Sequence, residues 1–417
     1  MVTAEIWPTL DYSRVPYRLY HDVEVYKQEQ ERIFKGPTWN YLCLDSEIPR
    51  PGDFRASYVG DCPVIVSRDE NGDLHAFVNR CAHRGALVQR EVSGNTKSHI
   101  CIYHQWTYGL DGTLRSIPFR RGVRGKGGLD ANFELSAHGL QPLTVSNVSG
   151  VLFGTMTSNA EPLEAYLGKP IVEQLHRLCG RKIKVLGYSR QRIQANWKLY
   201  AENTRDNYHA SLLHEFLVTF GLDRVTQIGG VTMDARHRHN VTWSKANSDM
   251  DDVAHTTYGN IGVRSDYLKL QAPDLVAFRP ERDDQVGLAI VSIFPTLVLA
   301  QIGNSLATRQ IRTRGTNEHE VFSTVFGYED DPPEMAAHRL RQANLIGPAG
   351  LVSMEDGEAI EIAHRASVSD LAATTVVELG GGGLISDRDY RVNDVPVRGF
   401  WSYYAELMDI EPIGAVR

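Results

Sequence analysis

The 417-residue chain is 42% hydrophobic and 23% charged, which is ordinary for a soluble globular protein with sizeable buried cores. Its length suggests two to three domains, and its net charge of −7 argues against a nucleic-acid-binding surface. Its five cysteines form an odd, sparse set that does not predict a disulfide framework, so we expect a reducing, cytoplasmic location.

The first 39 residues predict a helical arm, since residues 24–34 form a polar stretch with a few apolar anchors. From residue 40 to residue 158 the pattern changes to short β-type runs, which predict an all-β domain. The turn signal Asn71-Gly72 indicates a hairpin within it. The clearest predicted strands are Phe54–Val59, Val64–Ser67 and Leu74–Val78.

Two closely spaced pairs of metal-binding side chains lie in loops of this β domain. Cys81 and His83 form a C-x-H pair, and Cys101 and His104 form a C-x-x-H pair. Two thiolates on one iron and two imidazoles on the other form the ligand set of a Rieske [2Fe–2S] cluster. Neutral imidazoles remove negative charge and raise the reduction potential relative to an all-cysteine cluster. The sequence therefore predicts an electron-transfer centre at one end of the domain.

A structural zinc site is the alternative, because zinc also accepts two cysteines and two histidines. Zinc sites usually pair cysteine with cysteine and histidine with histidine, whereas each pair here is mixed. Arg84-Gly85 follows the first pair, and Trp106 follows the second. We therefore predict the iron–sulfur cluster.

Residues 159–417 predict a second domain. Residues 183–193 have strand character, and the longest apolar run, Val286 to Ile302, is interrupted by Pro295. Such a run predicts two buried strands around a proline bend rather than a membrane span. The N-terminus lacks the basic-then-apolar pattern of a secretory signal. We therefore expect no membrane association.

A second metal site is predicted in a mostly helical stretch of this domain. His209 and His214 are five residues apart, so both reach one metal only if the helix ends, kinks or bulges between them. Two histidines and a carboxylate form the facial triad of non-haem Fe(II) oxygenases. Asp356 is the preferred third ligand, and Glu355 and Glu358 are its competitors. The alternative is that His209 and His214 are structural histidines that bind no metal. The predicted Rieske cluster upstream in the chain makes the iron site the preferred interpretation.

Asp206 precedes His209 by three residues and therefore shares its helix face. A carboxylate in this position can accept the free ring N–H of a ligand histidine and fix its tautomer. If Asp206 also contacts His104 of another cluster, it becomes a bridge for electrons. The alternative is an ordinary carboxylate on a helix surface.

With these two predicted metal sites, the chain resembles the large (α) subunits of Rieske non-haem iron aromatic-ring-hydroxylating oxygenases over essentially its whole length. The resemblance is greatest to the group that acts on aromatic carboxylates such as terephthalate, salicylate and anthranilate. It implies an α+β chain, in which an N-terminal all-β Rieske domain precedes a helix-grip (Bet v1-like) catalytic domain with an antiparallel sheet. The supporting stretches are Trp39–Pro49, Tyr208–His214 and Ala343–Gly350.

The resemblance also implies an α3 or α3β3 assembly, in which the cluster of one subunit serves the iron of its neighbour and Asp206 bridges them. A small β subunit is then a partner, and a separate reductase or ferredoxin delivers electrons from NADH. Nothing in the chain resembles a flavin or NAD domain. We therefore expect that the chain alone does not oxidise NADH.

The predicted function is a terminal oxygenase component that uses O2 to cis-dihydroxylate an aromatic carboxylate, with terephthalate as the first choice. Monohydroxylation of salicylate and dioxygenation of anthranilate are alternatives. A non-catalytic electron carrier or a zinc-stabilised interaction protein is an alternative of another class.

A substrate carboxylate needs a cation, and arginine can grip it with two parallel hydrogen bonds. Arg309 and Arg398 are the candidates, and an ordinary surface or ion-paired arginine is the alternative for each. Two such arginines would suit a dicarboxylate, whereas one would suit salicylate or anthranilate.

Overall fold

The structure, a computed structural model, describes residues 6–246, 248, 251–259, 268 and 270–413. The chain divides into two compact units. One unit comprises residues 34–163, and the other comprises the described residues up to 33 together with those from 164 onward.

The strands are numbered in chain order over the described residues. They are β1 (Ile6–Trp7), β2 (Asn40–Leu44), β3 (Asp53–Val59), β4 (Cys62–Arg68), β5 (Leu74–Val78), β6 (Ser93–Asn95), β7 (His99–Ile100), β8 (Thr107–Tyr108), β9 (Leu114–Ser116), β10 (Pro142–Val148), β11 (Val151–Thr155), β12 (Ile183–Ile193), β13 (Gly229–Met233), β14 (Asn240–Lys245), β15 (Val286–Ile293), β16 (Leu297–Ile302), β17 (Ser305–Thr313), β18 (His319–Tyr328) and β19 (Glu411–Pro412).

The helices are numbered in the same way, and a π-helical turn, Gln30–Phe34, continues the second of them. Within the described ranges, no helix is long and apolar enough to cross a membrane. The α-helices are α1 (Arg18–His21), α2 (Val23–Glu29), α3 (Leu163–Leu167), α4 (Lys169–Cys179), α5 (Trp197–Asn203), α6 (Ala210–Leu213), α7 (Glu215–Thr219), α8 (Asp251–Gly259), α9 (Pro333–Ile346), α10 (Leu351–Ser367) and α11 (Val395–Met408).

The unit of residues 34–163 is built on an antiparallel sheet with the strand order β2-β11-β10-β5-β4-β3-β6, beside a smaller sheet, β7-β8-β9. β4 and β5 pair from Val64↔Val78 to Arg68↔Leu74, so the predicted hairpin is confirmed. Gly72 in its turn has φ +90°, a conformation that only glycine adopts without strain. The three predicted strands correspond to β3, β4 and β5.

The other unit is organised by an antiparallel sheet with the strand order β12-β18-β17-β16-β15-β14-β13. The predicted apolar run forms β15 and β16, which pair from Leu288↔Ile302 to Ile293↔Leu297 with Pro295 in the turn. The predicted strand over residues 183–193 is β12. α9 packs on β17 and β18, and α10 packs on α5 and α9. The predicted α+β class with an antiparallel catalytic sheet is confirmed.

A buried polar network holds α5, which leads into the second predicted metal site. Glu29 in α2 is fully buried and accepts hydrogen bonds from Trp197 Nε1 (2.8 Å), Lys198 Nζ (2.5 Å) and Tyr404 Oη (2.6 Å). A buried ion pair that loses one partner leaves an uncompensated charge, so such a network resists rearrangement. The described residues before Phe34 thus help to position α5.

Candidate metal centres and substrate cavity

The two loops that carry the cysteine–histidine pairs repeat one backbone hydrogen-bond pattern. In each loop the cysteine carbonyl accepts the N–H four residues on, from Gly85 to Cys81 (2.9 Å) and from Gln105 to Cys101 (2.8 Å). The N–H of each cysteine donates to the carbonyl five residues on, at 2.8 and 3.0 Å. Gly85 and Gln105 both have positive φ, +71° and +55°. Each loop therefore folds back over its own cysteine in the same way.

The cysteines and the histidines occupy different depths. Cys81 and Cys101 are 3% and 1% exposed and belong to the hydrophobic core of the β unit. His83 is exposed, and its ring lies 4.5 Å from that of His104 between centroids. His83 also stacks on Trp106, with ring centroids 4.9 Å apart. The loops thus present two sulfur donors at a buried base and two imidazoles nearer the surface.

The two cysteine sulfur atoms are neighbours in an apolar setting. Burial raises the pKa of the Cys101 thiol, and its hydrogen bond with Cys81 raises it further, although the backbone N–H of Tyr103 lowers it. Tyr108 Oη lies 3.2 Å from Cys81 Sγ and accepts the N–H of Ala82 (3.1 Å). Buried thiolates need a metal to share their charge. This donor set therefore fits a [2Fe–2S] cluster with two histidines on one iron.

The second predicted site brings together side chains from two distant parts of the chain. His209, His214 and Asp356 offer ligand atoms that all lie within 4.8 Å of one another. Nε2 of His209 and Nε2 of His214 lie 3.3 and 3.2 Å from the same carboxylate oxygen, Asp356 Oδ1. Two imidazoles and one carboxylate that converge on one point fit a mononuclear Fe(II) with open positions.

The helix is interrupted where the two histidines require it. α5 ends at Asn203, α6 runs only from Ala210 to Leu213, and His214 has φ −90° and ψ 70° between α6 and α7. The predicted departure from a regular helix is confirmed. It lets two histidines five residues apart face one point, with ring centroids 5.4 Å apart.

The electrostatics of this group favour a cation. Burial raises the pKa of Asp356, but hydrogen bonds from His209 and His214 outweigh burial and hold the pKa well below its usual range. Burial lowers the pKa of His209, whereas the neighbouring carboxylates of Asp206 and Asp356 raise it to about 10. The raised pKa of His209 reflects the negative potential of the two carboxylates, and the lowered pKa of Asp356 keeps that carboxylate ionised where the three side chains meet.

Two further polar side chains contact the group. Asn203 Nδ2 donates to Asp356 Oδ1 (3.1 Å) and lies 3.3 Å from His209 Nε2. Glu355 Oε2 lies 2.7 Å from Nδ1 of His214. Glu355 therefore contacts the far nitrogen of the histidine, the position from which a carboxylate fixes the tautomer of a ligand. Asn203 was not among the residues predicted from the sequence, although it lies in the same short stretch as the histidines.

Asp206 and Glu358 take other positions. Asp206 Oδ2 lies 3.6 Å from His209 Nδ1, beyond hydrogen-bond range, and its side chain is 27% exposed. Its other oxygen accepts the backbone N–H groups of Tyr208 (3.2 Å) and His209 (3.3 Å), which caps the turn into α6. Glu358 is exposed on α10.

A cavity lies beside the three converging side chains. One face of the sheet forms its floor, because Thr242 pairs with Ile290, and Leu288 pairs with Ile302. Aliphatic side chains supply much of the rest of the lining. They are Leu217, Leu288, Ile290, Ile302 and Val352.

Two arginines line this cavity, and their partners differ. Arg309 lies on β17, is 9% exposed and donates to the hydroxyl of Tyr200. Arg391 donates through both Nη atoms to the carboxylate of Asp223, at 2.7 Å each. Arg391 is therefore neutralised by an acid, whereas Tyr200 is a neutral partner. The Arg391–Asp223 pair was not predicted from the sequence, because its members are 168 residues apart and no local pattern connects them.

Arg398, the second predicted substrate arginine, is not among the residues that line the cavity. It is buried in α11, where its Nη atoms donate to the carbonyls of Gly383 and Gly381, both at 3.0 Å. The carboxylate of Asp11 lies 3.8 Å away. Arg398 therefore binds the backbone of the loop that contains Gly381 and Gly383.

Two separate segments of the chain match two family models. Residues 38–126 match the Rieske [2Fe-2S] domain, and residues 175–410 match the catalytic domain of the ring-hydroxylating alpha subunit. These matches confirm the predicted iron–sulfur cluster and exclude the structural zinc site that was its alternative. They also confirm that the protein is an oxidoreductase, and not a non-catalytic interaction protein.

Curated relatives match over nearly the full length. The large subunit of anthranilate 1,2-dioxygenase from Burkholderia cepacia is 42% identical over 96% of this chain and 95% of its own. The alpha 2 subunit of the terminal oxygenase component of terephthalate 1,2-dioxygenase from Comamonas sp. is 42% identical over 97% of this chain and 98% of its own. The large oxygenase component of salicylate 5-hydroxylase from Ralstonia sp. is 40% identical over 96% of both chains.

Solved structures share the fold. Naphthalene 1,2-dioxygenase from Rhodococcus sp. bound to indole is 25% identical with a TM-score of 0.78, over 95% of this chain and 94% of that chain. A naphthalene 1,2-dioxygenase variant bound to phenanthrene is 23% identical with a TM-score of 0.79, over 98% and 95%. The chain therefore belongs to the Rieske non-haem iron aromatic-ring-hydroxylating oxygenases, as a large (α) subunit of the terminal oxygenase component.

Proposed function

We propose that this subunit hydroxylates the ring of an aromatic carboxylate. One observation carries the proposal: a single cavity contains the converging His209, His214 and Asp356, an aliphatic lining and the guanidinium of Arg309. A flat apolar ring suits aliphatic walls, and arginine holds a carboxylate through two parallel hydrogen bonds. Anthranilate, terephthalate and salicylate, after which the curated relatives are named, are all aromatic carboxylates.

The proposed roles follow from these positions. His209, His214 and Asp356 would hold the mononuclear iron, which supplies the oxygen chemistry when bound. Asn203 donates to Asp356 Oδ1 and so restrains rotation of that carboxylate. Arg309 would orient the ring beside the ligand side chains, and the aliphatic lining would exclude water from it. In cis-dihydroxylation, two adjacent carbon atoms of the aromatic ring would each receive a hydroxyl group. In monohydroxylation, only one ring carbon would receive a hydroxyl group.

We further propose that Cys81, His83, Cys101 and His104 hold the Rieske cluster. Electrons from NADH reach members of this family through a separate reductase. The proposed assembly is an α3 or α3β3 trimer with a small β subunit. In it Asp206, which is partly exposed beside the His209 ring, would bridge to the cluster ligands of a neighbouring subunit.

The function is tested by turnover with NADH, a reductase and ¹⁸O2 on benzoate, salicylate, anthranilate and the phthalate isomers. We expect labelled product from at least one free acid and a large loss with its methyl ester, which lacks the charge for Arg309. Two labelled atoms identify dihydroxylation, and one identifies monohydroxylation. Equal turnover of acid and ester would contradict the proposal.

Arg309→Gln should raise KM for the acid by about 10- to 100-fold, since a hydrogen bond to a charged group contributes about 1.5–3 kcal/mol. Iron content should stay unchanged, because Arg309 is not a ligand. The matched control is Arg312→Gln on the other face of β17, where the Arg312 guanidinium packs on the ring of Phe322 at 4.2 Å. An unchanged KM in Arg309→Gln would remove this residue from substrate binding.

Glu355→Ala should weaken iron binding by about 10- to 100-fold, because a carboxylate on the far nitrogen of a ligand histidine orients it and raises its basicity. Competition with a chelator of known affinity measures the change. Glu358→Ala is the control, since that exposed residue lies three positions on in the same helix. Equal iron affinities in the two variants would show that the Glu355–His214 contact does not support the metal.

A further inference from the structure

Tyr108 connects the two ligand loops of the β unit. It lies on β8, directly after the loop of Cys101, and its hydroxyl oxygen lies 3.2 Å from the sulfur of Cys81 in the other loop. The side chain is 0% exposed and belongs to the same hydrophobic core as the two cysteines. Its backbone pairs with His99 on β7 and with Leu114 on β9. The hydroxyl is therefore held in one position beside a proposed cluster ligand.

The hydrogen bond between Tyr108 and Cys81 has a definite direction. The Tyr108 oxygen accepts the backbone N–H of Ala82 at 3.1 Å, so its own proton is left for another acceptor. A tyrosine hydroxyl is protonated at neutral pH, whereas a cysteine that binds iron is a thiolate and carries no proton. Tyr108 is then the donor, and the sulfur of Cys81 is the acceptor.

The sulfur of the other cysteine has donors of a different kind. Cys101 accepts hydrogen bonds from the backbone N–H groups of Tyr103 and His104. Backbone donors depend on the conformation of the loop, and a substitution of the side chain leaves them in place. The donor to Cys81 belongs to a side chain, so phenylalanine would remove it while keeping the aromatic ring. The effect of this one hydrogen bond can therefore be measured by itself.

A donor beside a ligand sulfur affects the redox equilibrium of a bound cluster. Reduction adds one electron, which makes the ligand sulfurs more negative and breaks no bond. A hydrogen bond to a more negative acceptor is stronger, so the donor stabilises the reduced state more than the oxidised state. Hydrogen bonds to the sulfurs are among the features that set the potential of iron–sulfur clusters. The Tyr108 hydroxyl should therefore make the cluster easier to reduce.

We propose that Tyr108 raises the reduction potential of the Rieske cluster by donating a hydrogen bond to the sulfur of Cys81. Tyr108 acts through a ligand and does not bind iron itself, so it is a positioning residue of the electron-transfer centre. The driving force for reduction by the electron donor increases, and the driving force for transfer onward to the mononuclear iron decreases equally. This inference rests on the proposed function, since it assumes that Cys81 is a cluster ligand.

Tyr108→Phe tests the inference in the holoenzyme. The equilibrium constant for reduction of the cluster should fall about tenfold, as expected for the loss of a hydrogen bond to a charged group, which lowers the potential by about 59 mV. A redox titration followed by EPR measures this change. After exchange into D2O, pulsed ENDOR should show one exchangeable proton coupling fewer than in the wild-type protein. Tyr58→Phe, at a half-buried tyrosine on β3, is the matched control and should keep the wild-type potential.

Incorporation of 3-fluorotyrosine at position 108 gives a second measurement. It keeps the ring and makes the hydroxyl a stronger donor, so it should raise the potential that Tyr108→Phe lowers. It also decides the question if Tyr108→Phe fails to bind the cluster.

The outcomes separate this inference from the proposed function. If the wild-type holoenzyme shows no Rieske EPR signal, the proposed ligation fails and this inference fails with it. If the signal is present but either substituted protein keeps the wild-type potential, the inference alone is overturned. A lower potential in Tyr108→Phe with unchanged exchangeable proton couplings overturns it equally, because the hydrogen bond would then not be the cause.

Discussion

Asp356→Ala should abolish oxygenation while leaving the iron–sulfur cluster in place. Its Oδ1 lies within 3.3 Å of Nε2 of both His209 and His214, so the substitution removes the anionic member of the triad. Two neutral imidazoles alone would hold Fe(II) weakly. We expect kcat/KM to fall at least about a thousandfold, which corresponds to about 4 kcal/mol.

Three measurements on that variant separate the two metal centres. Iron per subunit should fall to the two atoms of the cluster, the EPR signal of the reduced cluster should persist, and a single turnover should yield no product. Glu358→Ala, on the same helix, should retain all three properties of the wild-type protein. Oxygenation at the wild-type rate in Asp356→Ala would show that the mononuclear site lies elsewhere.

Cys101→Ser should remove the cluster and with it all NADH-dependent turnover. Cys101 is 1% exposed at the base of its loop, and a serine hydroxyl is a poor substitute for a soft thiolate on iron. The visible absorbance and the reduced EPR signal should disappear, and turnover should fall at least about a thousandfold. Iron at the mononuclear site should remain at one atom per subunit.

Cys62→Ser is the matched control, because Cys62 is a half-buried free cysteine of the same unit outside the two ligand loops. It should keep the absorbance, the EPR signal and the turnover of the wild-type protein. A Cys101→Ser protein with an intact Rieske signal would refute the assignment of that ligand.

The Rieske motif could be found in the sequence because its geometry is local. Each pair is contained in a loop of a few residues, and each loop closes through its own backbone hydrogen bonds. The strands were predictable for a related reason. The alternation of apolar and polar residues that marks a strand, and the turn residues that bound it, are both found within five to ten positions. β12 coincides with the stretch chosen from its pattern.

The mononuclear site was predictable only in part. The spacing of His209 and His214 required a break in the helix, and the break occurs. Three acids compete to join them, because Glu355, Asp356 and Glu358 lie within one turn of α10. Successive residues of a helix point about 100° apart. The packing of α10 on α5 therefore decides which carboxylate faces the histidines.

The sequence by itself determined the cofactor chemistry and the family of this protein, because both depend on residue types at short, fixed spacings. The tertiary structure alone decided that Arg309 faces the cavity, that Arg398 binds loop carbonyls and that Asp223 neutralises Arg391. These contacts join residues from distant parts of the chain. Their geometry is set by strand register and helix packing, which no local pattern specifies.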